Sequence, residues 1–291
     1  MLTQSLNSKS FSVLICCITY AIAVAIGWFS ANYFDQQFQL ITATLIADVM
    51  ATTIVFIFST AFRNSSLYDP YWSVAPPLII WFWIYKTQTE FTLIDFLLLG
   101  VIVLWSLRLT VNWLRGWRGL SHEDWRYIQL REQNPKLYPV TNFAGIHLFP
   151  TLIVLICLIP CYYALQETHN EINFEIITGA IICITAIIIS FIADEQMRSF
   201  RKNSNENESM ENGLWKYSRH PNYLGEILFW WGIWIIAIGV NIKLYWTVFG
   251  CITLTLMFIF ISIPMMEKRN LARRKNYSEV MERVPMLFKL F

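Results

Sequence analysis

Residues 176–193 read IITGAIICITAIIISFIA and are followed directly by the polar run DEQMRSFRKN. The first stretch contains no charged side chain, and a helix needs about 20 apolar residues to cross a bilayer. We therefore predict a membrane-spanning helix over 175–197, which ends where the polar run reaches water.

Similar apolar runs occur along the whole chain, and each is predicted as a spanning helix. The eight candidates are 11–32, 40–62, 71–85, 91–111, 144–166, 175–197, 222–240 and 244–265. The third is short and contains Pro76-Pro77, so seven spans remain if this run is re-entrant. The first is longer than a typical signal-peptide core and has no clear cleavage site, so we expect it to be retained. The predicted fold class is all-α, a polytopic transmembrane helical bundle of seven to eight spans that forms a single domain over 1–291.

The composition excludes several other classes of protein. Of the 291 residues, 56% are hydrophobic and 14% are charged, whereas a typical soluble domain has about 25% charged residues. A disordered chain, a coiled coil and an ordinary soluble globule are therefore excluded. The net charge of +2 gives no indication of a nucleic-acid partner. The six cysteines lie in apolar runs without metal-binding spacing, so we expect buried thiols and no metal site.

The basic residues fall on one side of the eight-span arrangement. All but three of the 22 Lys and Arg residues lie in the termini and in loops 63–70, 112–143 and 198–221. Positively charged loops stay in the cytoplasm, so both termini and these three loops are predicted to be cytoplasmic. Chemistry that uses a charged, water-soluble cofactor is expected at this end of the bundle, at the inner or plasma membrane if the protein is bacterial.

The first candidate segment for chemistry follows span six. Asp194, Arg198 and Arg201 have i, i+4, i+7 spacing, so they share one face of a helix. An Asp that pairs with an Arg can hold the guanidinium in place for a phosphate. An ordinary basic flank with a helical ion pair explains the same pattern.

The second candidate segment reads WKYSRHPNYLGE and ends at Glu226. Pro221 can occupy the first turn of span seven. Arg219, His220 and Asn222 then lie at a helix N-terminus, which attracts anions. Glu226 lies one turn further into the span, where an acidic residue is costly and usually functional. A capped helix start with interfacial Trp and Tyr anchors is the alternative.

Further candidates lie in the tail, in the loop before span five and in span two. The tail, 266–285, is basic and helical in pattern, and it either lies on anionic lipid headgroups or covers a cofactor. The loop sequence EDWRY, which ends at Tyr127, forms either a solvated helix or a proton source, since Tyr is a plausible general acid. Asp48, within span two, is a weaker candidate because a single intramembrane Asp proves little.

These segments together resemble a known family. The stretch RHPNYLGE, 219–226, is similar to the signature of the steroid 5α-reductase-like membrane proteins, especially their bacterial DUF1295 branch. Arg108-Leu-Thr and the loop 123–127 also resemble that branch. The likeness covers roughly 65–290 and is most specific from 190 onward. The steroid reductases are seven-span enzymes that use NADPH to saturate a conjugated enone.

The resemblance implies that one set of residues binds NADPH. These residues are Asp194, Arg198, Arg201, Arg219, His220, Asn222, Tyr223, Gly225, Arg274, Tyr277 and Arg283. Glu226 is expected to hold the nicotinamide end and to act in catalysis, and Tyr127 is expected to donate the proton. Where the steroid reductases carry His-x-x-Tyr in the tail, this chain has Glu267 and Asn270. We find no secure match to the Glu and Tyr that polarise the enone carbonyl in those enzymes.

Two other functions remain open at this point. The motifs are also similar to those of isoprenylcysteine and phospholipid methyltransferases, which bind S-adenosylmethionine, and Arg219, His220, Glu267 and Arg283 fit that pattern. C14-type sterol reductases share the tail pattern, so the tail alone does not decide the cofactor. A catalytically silent membrane protein that binds sterol or another lipid is the third possibility. The run 222–226 favours the reductase, so we predict NADPH-dependent reduction of a C=C bond in an apolar enone. The expected partners are membrane lipids and this substrate, which enters from the lipid phase, and no protein partner is expected.

Overall fold

The computed structural model describes residues 8–87, 91–167, 171–203 and 208–288, and these residues form helices and loops without strands. The helices are α1 (Lys9–Phe34), α2 (Leu40–Ala61), α3 (Tyr71–Thr87), α4 (Leu93–Gly116), α5 (Trp125–Gln133), α6 (Tyr138–Ala164), α7 (Phe174–Asn203), α8 (Pro221–Val240), α9 (Ile242–Arg273) and α10 (Tyr277–Arg283). The predicted all-α fold class is confirmed.

Seven helices of the described chain are long and apolar enough to cross a membrane. They are α1, α2, α4, α6, α7, α8 and α9. The chain is therefore a multi-pass membrane protein, as predicted. The third predicted span, α3, is 17 residues long and continues through Pro76 and Pro77 as one helix.

The chain divides into two compact units. Unit 1 comprises Met1–Thr89 and Trp105–Leu158, and unit 2 comprises Glu90–Leu104 and Ile159–Phe291. Helices α4 and α6 each contribute to both units. The arginine-rich segments that the sequence singles out after position 190 all belong to unit 2.

Within unit 1, polar contacts define the two ends that α3 connects. Near the start of α1, Ser12 Oγ accepts a hydrogen bond from the Leu120 amide at 3.0 Å, and Asn64 Nδ2 donates to the Leu120 carbonyl at 2.8 Å. Beyond the end of α1, Lys86 Nζ pairs with Asp35 Oδ2 at 3.1 Å. Because α3 begins shortly after Asn64 and ends at this ion pair, it connects these two ends of unit 1.

Within unit 2, small residues let α7 and α8 pack with their backbones in contact. Gly225, Gly232 and Gly239 recur every seventh residue along α8. A Cβ atom at Gly232 would lie 2.6 Å from Cys183 Sγ and 2.9 Å from the Gly179 carbonyl oxygen. This close approach, common between membrane helices, fixes the start of α8 against the polar end of α7.

The cysteine prediction is confirmed at five of six positions. The buried side chains are Cys16, Cys157, Cys161, Cys183 and Cys251. Cys17 is exposed, because it projects from α1 about 100° around the helix axis from its buried neighbour Cys16. An exposed thiol on an apolar helix is compatible with a lipid-facing surface.

Candidate functional site

A buried ion pair anchors the segment before α8. Arg219 Nε donates to Glu267 Oε1 at 2.7 Å, and the two side chains are 8% and 11% exposed. Arg219 Nη1 also donates to the carbonyl oxygens of Met281 at 3.0 Å and Val284 at 2.5 Å. Arg219 therefore holds the tail against the start of α8 through two of its three guanidinium nitrogens.

His220 and Tyr223 add further contacts between the start of α8 and α9. His220 Nε2 lies 3.3 Å from Glu267 Oε1, and the His220 ring stacks on Tyr223 with a centroid distance of 5.5 Å and an interplanar angle of 8°. Tyr223 in turn contacts Phe258, in a π-helical turn of α9. The structure thus brings three predicted site residues together around Glu267.

The next turn of α8 faces α7. The Asn222 carbonyl accepts a hydrogen bond from Ser190 Oγ at 3.2 Å, and Gly225 packs against the same Ser190 side chain. Glu226 is buried, at 6% exposure, in the second turn of the helix. The burial that makes this acidic residue a functional candidate is present. The NADPH contacts of Asn222, Gly225 and Glu226 stay predictions.

Three arginines, Arg198, Arg273 and Arg274, lie within electrostatic range of Arg201, and the four come from α7 and the end of α9. The positive charges of Arg198 and Arg273 act on Arg201, and those of Arg201 and Arg273 act on Arg274. Arg201 and Arg273 are exposed, whereas Arg198 and Arg274 are partly buried. We call these four residues the arginine cluster. Partial burial, together with the nearby charge of Arg201, lowers the pKa of Arg274.

Two acidic residues lie beside the arginine cluster. Glu195 Oε1 is 3.4 Å from Arg198 Nε, and Asp194 attracts the guanidinium of Arg201. The helical face predicted from Asp194, Arg198 and Arg201 is therefore partnered within unit 2. Arg273 is the member of the cluster that the sequence does not single out, although it adjoins the predicted Arg274 in the basic tail.

The tail positions that depart from the steroid reductases are used to hold the tail. Glu267 binds Arg219, as described above, and Asn270 is close enough to Tyr277 to influence its hydroxyl, which is buried and meets the criteria for a hydrogen bond with none of the described residues. Burial raises the pKa of Tyr277. Arg283 Nη2 pairs with Glu211 Oε2 at 2.9 Å in a more exposed position. The cofactor contacts of Tyr277 and Arg283 stay predictions.

The predicted proton donor, Tyr127, lies in unit 1 on α5. Its hydroxyl donates to Asp69 Oδ1, and Arg126 Nη2 lies 3.9 Å from the same oxygen. Burial raises the pKa of Asp69 to about 6 and raises that of Tyr127 as well, while Arg126 acts in the opposite direction on both. The hydroxyl of Tyr127 is thus engaged by Asp69, and its role as a proton donor stays a prediction.

Unit 1 also contains an apolar cavity of about 70 Å³ between α1, α2 and α3. Its lining is apolar apart from a few groups, among them Asp48 and Tyr71, which are 7% and 3% exposed. The Tyr71 hydroxyl donates to Asp48 Oδ1 at 3.4 Å. The sequence gives Asp48 as a weak candidate and does not single out Tyr71, because no spacing rule connects residues on two different helices.

Comparison with known proteins identifies the family. The family described as "Protein of unknown function (DUF1295)" matches residues 55–284. The chain belongs to the DUF1295 family. The predicted DUF1295 resemblance is thereby confirmed, and the matched region includes both the arginine cluster and Tyr71.

One curated relative of this DUF1295 protein is Uncharacterized protein C594.04c of Schizosaccharomyces pombe. The two sequences are 27% identical over 226 residues, which is 67% of this chain and 64% of the relative. The chain therefore spans less than two thirds of the length of the relative that it matches. No solved structure gives a significant match.

The two units of this DUF1295 protein offer different chemistry. The arginine cluster in unit 2 is a solvent-accessible group of cations, which suits a ligand with several phosphates. The cavity in unit 1 suits an apolar molecule that carries one polar group, because its lining is apolar beside the pair Asp48 and Tyr71.

Proposed function

We propose that this DUF1295 protein is a membrane oxidoreductase that uses NADPH to reduce the C=C bond of an apolar enone. The arginine cluster carries the proposal. Like-charged side chains repel one another, so four guanidinium groups held together favour a ligand with several negative charges. NADPH has three phosphate groups, whereas S-adenosylmethionine has none. The cluster therefore favours the reductase over the methyltransferase.

The arginine cluster fits the phosphate end of NADPH in composition and exposure. Arg201 and Arg273 are exposed and can meet a ligand from water, while Glu195 and Asp194 orient two of the guanidinium groups. When bound, NADPH supplies the hydride for the reduction. Arg219 acts in this scheme by holding the tail, because its Nε and Nη1 already donate to Glu267 and to two carbonyl oxygens.

The cavity in unit 1 supports an apolar enone as substrate. The resemblance to steroid reductases implies a Glu and a Tyr that polarise the carbonyl, and Asp48 with Tyr71 is an acid and tyrosine pair of this kind. The Tyr71 hydroxyl would donate to the substrate carbonyl oxygen, and Asp48 would hold the tyrosine in place. The cavity of about 70 Å³ has room for the carbonyl end of a steroid, terpenoid or lipid-like substrate, and its apolar lining suits the carbon atoms beside that carbonyl.

The proposal includes the orientation of the protein in the membrane. The arginine cluster lies where the distribution of Lys and Arg predicts the cytoplasm. NADPH is charged and water-soluble, so it would reach the cluster from that side. Membrane lipids surround the spans and deliver the substrate.

Cofactor binding to the detergent-purified full chain tests the proposal. NADPH, but not S-adenosylmethionine, is expected to raise the melting temperature, because a ligand that binds the folded state stabilises it. The double variant Arg201→Gln with Arg274→Gln should weaken NADPH binding by about tenfold for each guanidinium removed. Lys275→Gln, an exposed tail residue outside the cluster, is the matched control.

The other outcomes point to the other functions. Stabilisation by S-adenosylmethionine alone would overturn the reductase and support a methyltransferase. The absence of stabilisation by NADPH, NADH and S-adenosylmethionine would favour a protein that binds lipid without catalysis. Equal NADPH affinity in the double variant and in Lys275→Gln would remove the arginine cluster from the site.

A further inference from the structure

A continuous series of hydroxyl groups leads away from the cavity in unit 1. Tyr71, which donates to Asp48, is also hydrogen-bonded to Thr52. Thr52 Oγ1 lies 3.1 Å from Thr151 Oγ1, which lies 2.8 Å from the Tyr68 hydroxyl. We call Tyr71, Thr52, Thr151 and Tyr68 the hydroxyl chain. Each of its members has a relative exposure of 4% or less.

Thr52, one of the two threonines of the hydroxyl chain, differs from an ordinary membrane threonine. The neighbouring Thr53 satisfies its hydroxyl on its own helix, by donating to the Val49 carbonyl at 2.8 Å. Thr52 instead reaches across to α6, where Thr151 connects it to Tyr68. A hydroxyl that contacts two others can accept one proton and donate another, so the series is able to pass a proton along its length when Thr151 turns its hydroxyl from the His147 carbonyl toward Thr52.

The end of the hydroxyl chain that is farther from the cavity, Tyr68, lies against His147. The Tyr68 and His147 rings are 4.8 Å apart between centroids, and the His147 carbonyl accepts a hydrogen bond from Thr151 at 2.9 Å. His147 Nε2 lies 3.0 Å from Ser59 Oγ, and Nδ1 lies 2.9 Å from the Asn142 carbonyl oxygen. Asn142 and His147 both lie in a π-helical turn of α6, a feature that often marks functional positions.

Polar contacts continue from this turn to the surface of unit 1. Asn142 Oδ1 accepts a hydrogen bond from Ser65 Oγ at 2.9 Å, and Ser65 Oγ lies 2.9 Å from the Tyr138 hydroxyl. Tyr138 accepts from Arg131 at 3.3 Å, and the Arg131 side chain is 39% exposed. Between the cavity and water, two steps are not bridged by a hydrogen bond. One is the ring contact of Tyr68 with His147, and the other is the passage from the Asn142 carbonyl to the Asn142 side-chain amide. Proton passage to the surface therefore requires these side chains to reorient.

We propose that the hydroxyl chain supplies the proton that completes reduction at Tyr71 and Asp48. This inference rests on the proposed function. Reduction of an enone adds a hydride to the β-carbon, and the C=C electron pair moves toward the carbonyl oxygen. Tyr71 gives its proton to this oxygen and takes one from Thr52. Thr52 is reprotonated by Thr151, and Thr151 by Tyr68. Tyr68 then reorients toward His147 and takes a proton that solvent replaces, which returns the hydroxyl chain to its starting state. The enolic proton then moves to the α-carbon, so that enone, NADPH and one proton give the saturated ketone and NADP⁺.

Infrared spectroscopy of the full chain tests the path without cofactor or substrate. The carbonyl band of protonated Asp48 is assigned by its loss in Asp48→Asn, at a pH low enough to protonate buried carboxyl groups. After a switch from H₂O to D₂O, the rate at which this band shifts reports proton access to Asp48. We expect Thr52→Val, Thr151→Val and Tyr68→Phe to slow the shift by about tenfold or more, since each removes one relaying hydroxyl. Thr53→Val, which removes a hydroxyl outside the chain, should leave the rate unchanged.

A conservative variant separates proton transfer from packing. Thr151→Ser keeps the hydroxyl and should exchange as fast as the wild-type protein, whereas a purely structural role would make it resemble Thr151→Val. If Thr52→Val, Thr151→Val and Tyr68→Phe all exchange as fast as the wild-type protein, the inference is overturned. It is also overturned if the carbonyl band of protonated Asp48 does not form at low pH. The measurement is independent of turnover, so a protein without reductase activity would overturn the proposed function and leave the exchange result standing.

Discussion

Glu267 Oε1 lies 2.7 Å from Arg219 Nε, and this ion pair joins the end of α9 to the start of α8. Both side chains are nearly buried, and the carbonyl oxygens of Met281 and Val284 hold the same guanidinium. The pair therefore fastens the tail beside the helix start that the sequence predicts as a cofactor site.

Removal of one partner of this pair should destabilise the fold. We expect Glu267→Gln to lower the free energy of unfolding by about 3 kcal/mol, because it leaves the Arg219 charge buried without its carboxylate. The check is the melting temperature in detergent, with Glu282→Gln, an exposed residue of α10, as the control. Equal melting temperatures in the two variants would show that the ion pair contributes little.

Overpacking at the contact of α7 with α8 should also destabilise unit 2. A Cβ atom in Gly232→Ala would approach Cys183 Sγ to 2.6 Å and the Gly179 backbone to 2.9 Å. We expect a loss of about 1–3 kcal/mol, measured by thermal unfolding. Gly100→Ala is the matched control, because a Cβ atom there meets nothing within 4 Å, and it should gain about 0.5–1 kcal/mol. A neutral Gly232→Ala variant would contradict the close packing.

Asp69 should make stability depend on pH. Burial raises its pKa from 3.8 to about 6, against the opposing charge of Arg126. The folded protein then binds this proton more tightly than the unfolded chain, so the stability contributed by Asp69 falls as pH rises from about 4 through about 6 and is constant above that. The melting temperature of the wild-type protein relative to Asp69→Asn should therefore decrease over this window. Parallel curves for the two proteins would contradict this assignment.

Turnover should distinguish the two tyrosines that could donate the proton. With cholest-4-en-3-one as a model enone, we expect Tyr71→Phe and Asp48→Asn to lower the rate of NADPH oxidation by about 100-fold or more. Tyr127→Phe should have a smaller effect, because Asp69 already engages its hydroxyl. NADPH binding should remain unchanged in Tyr71→Phe. If only Tyr127→Phe greatly lowers the rate of NADPH oxidation, Tyr127 is the proton donor, as the sequence predicts.

Much of the fold follows from the sequence because a membrane imposes a simple rule. Backbone groups in hydrocarbon must be hydrogen-bonded within the segment, so long apolar runs become helices. The run 176–193 needs no partner to be predicted as a span, and the helical face of Asp194, Arg198 and Arg201 follows from local periodicity. The resemblance carried by 219–226 led correctly to the DUF1295 family.

The tertiary structure decided which distant residues meet. Periodicity relates positions within one helix, whereas Asp48 and Tyr71, or Thr52 and Thr151, contact each other only because separate helices pack together. The same holds for Arg219, which the sequence assigns to a phosphate and which the fold surrounds with Glu267 and tail carbonyls. Local sequence thus determined the helices and their polar faces. Packing determined the partners, because contacts between helices join residues that are far apart in the sequence.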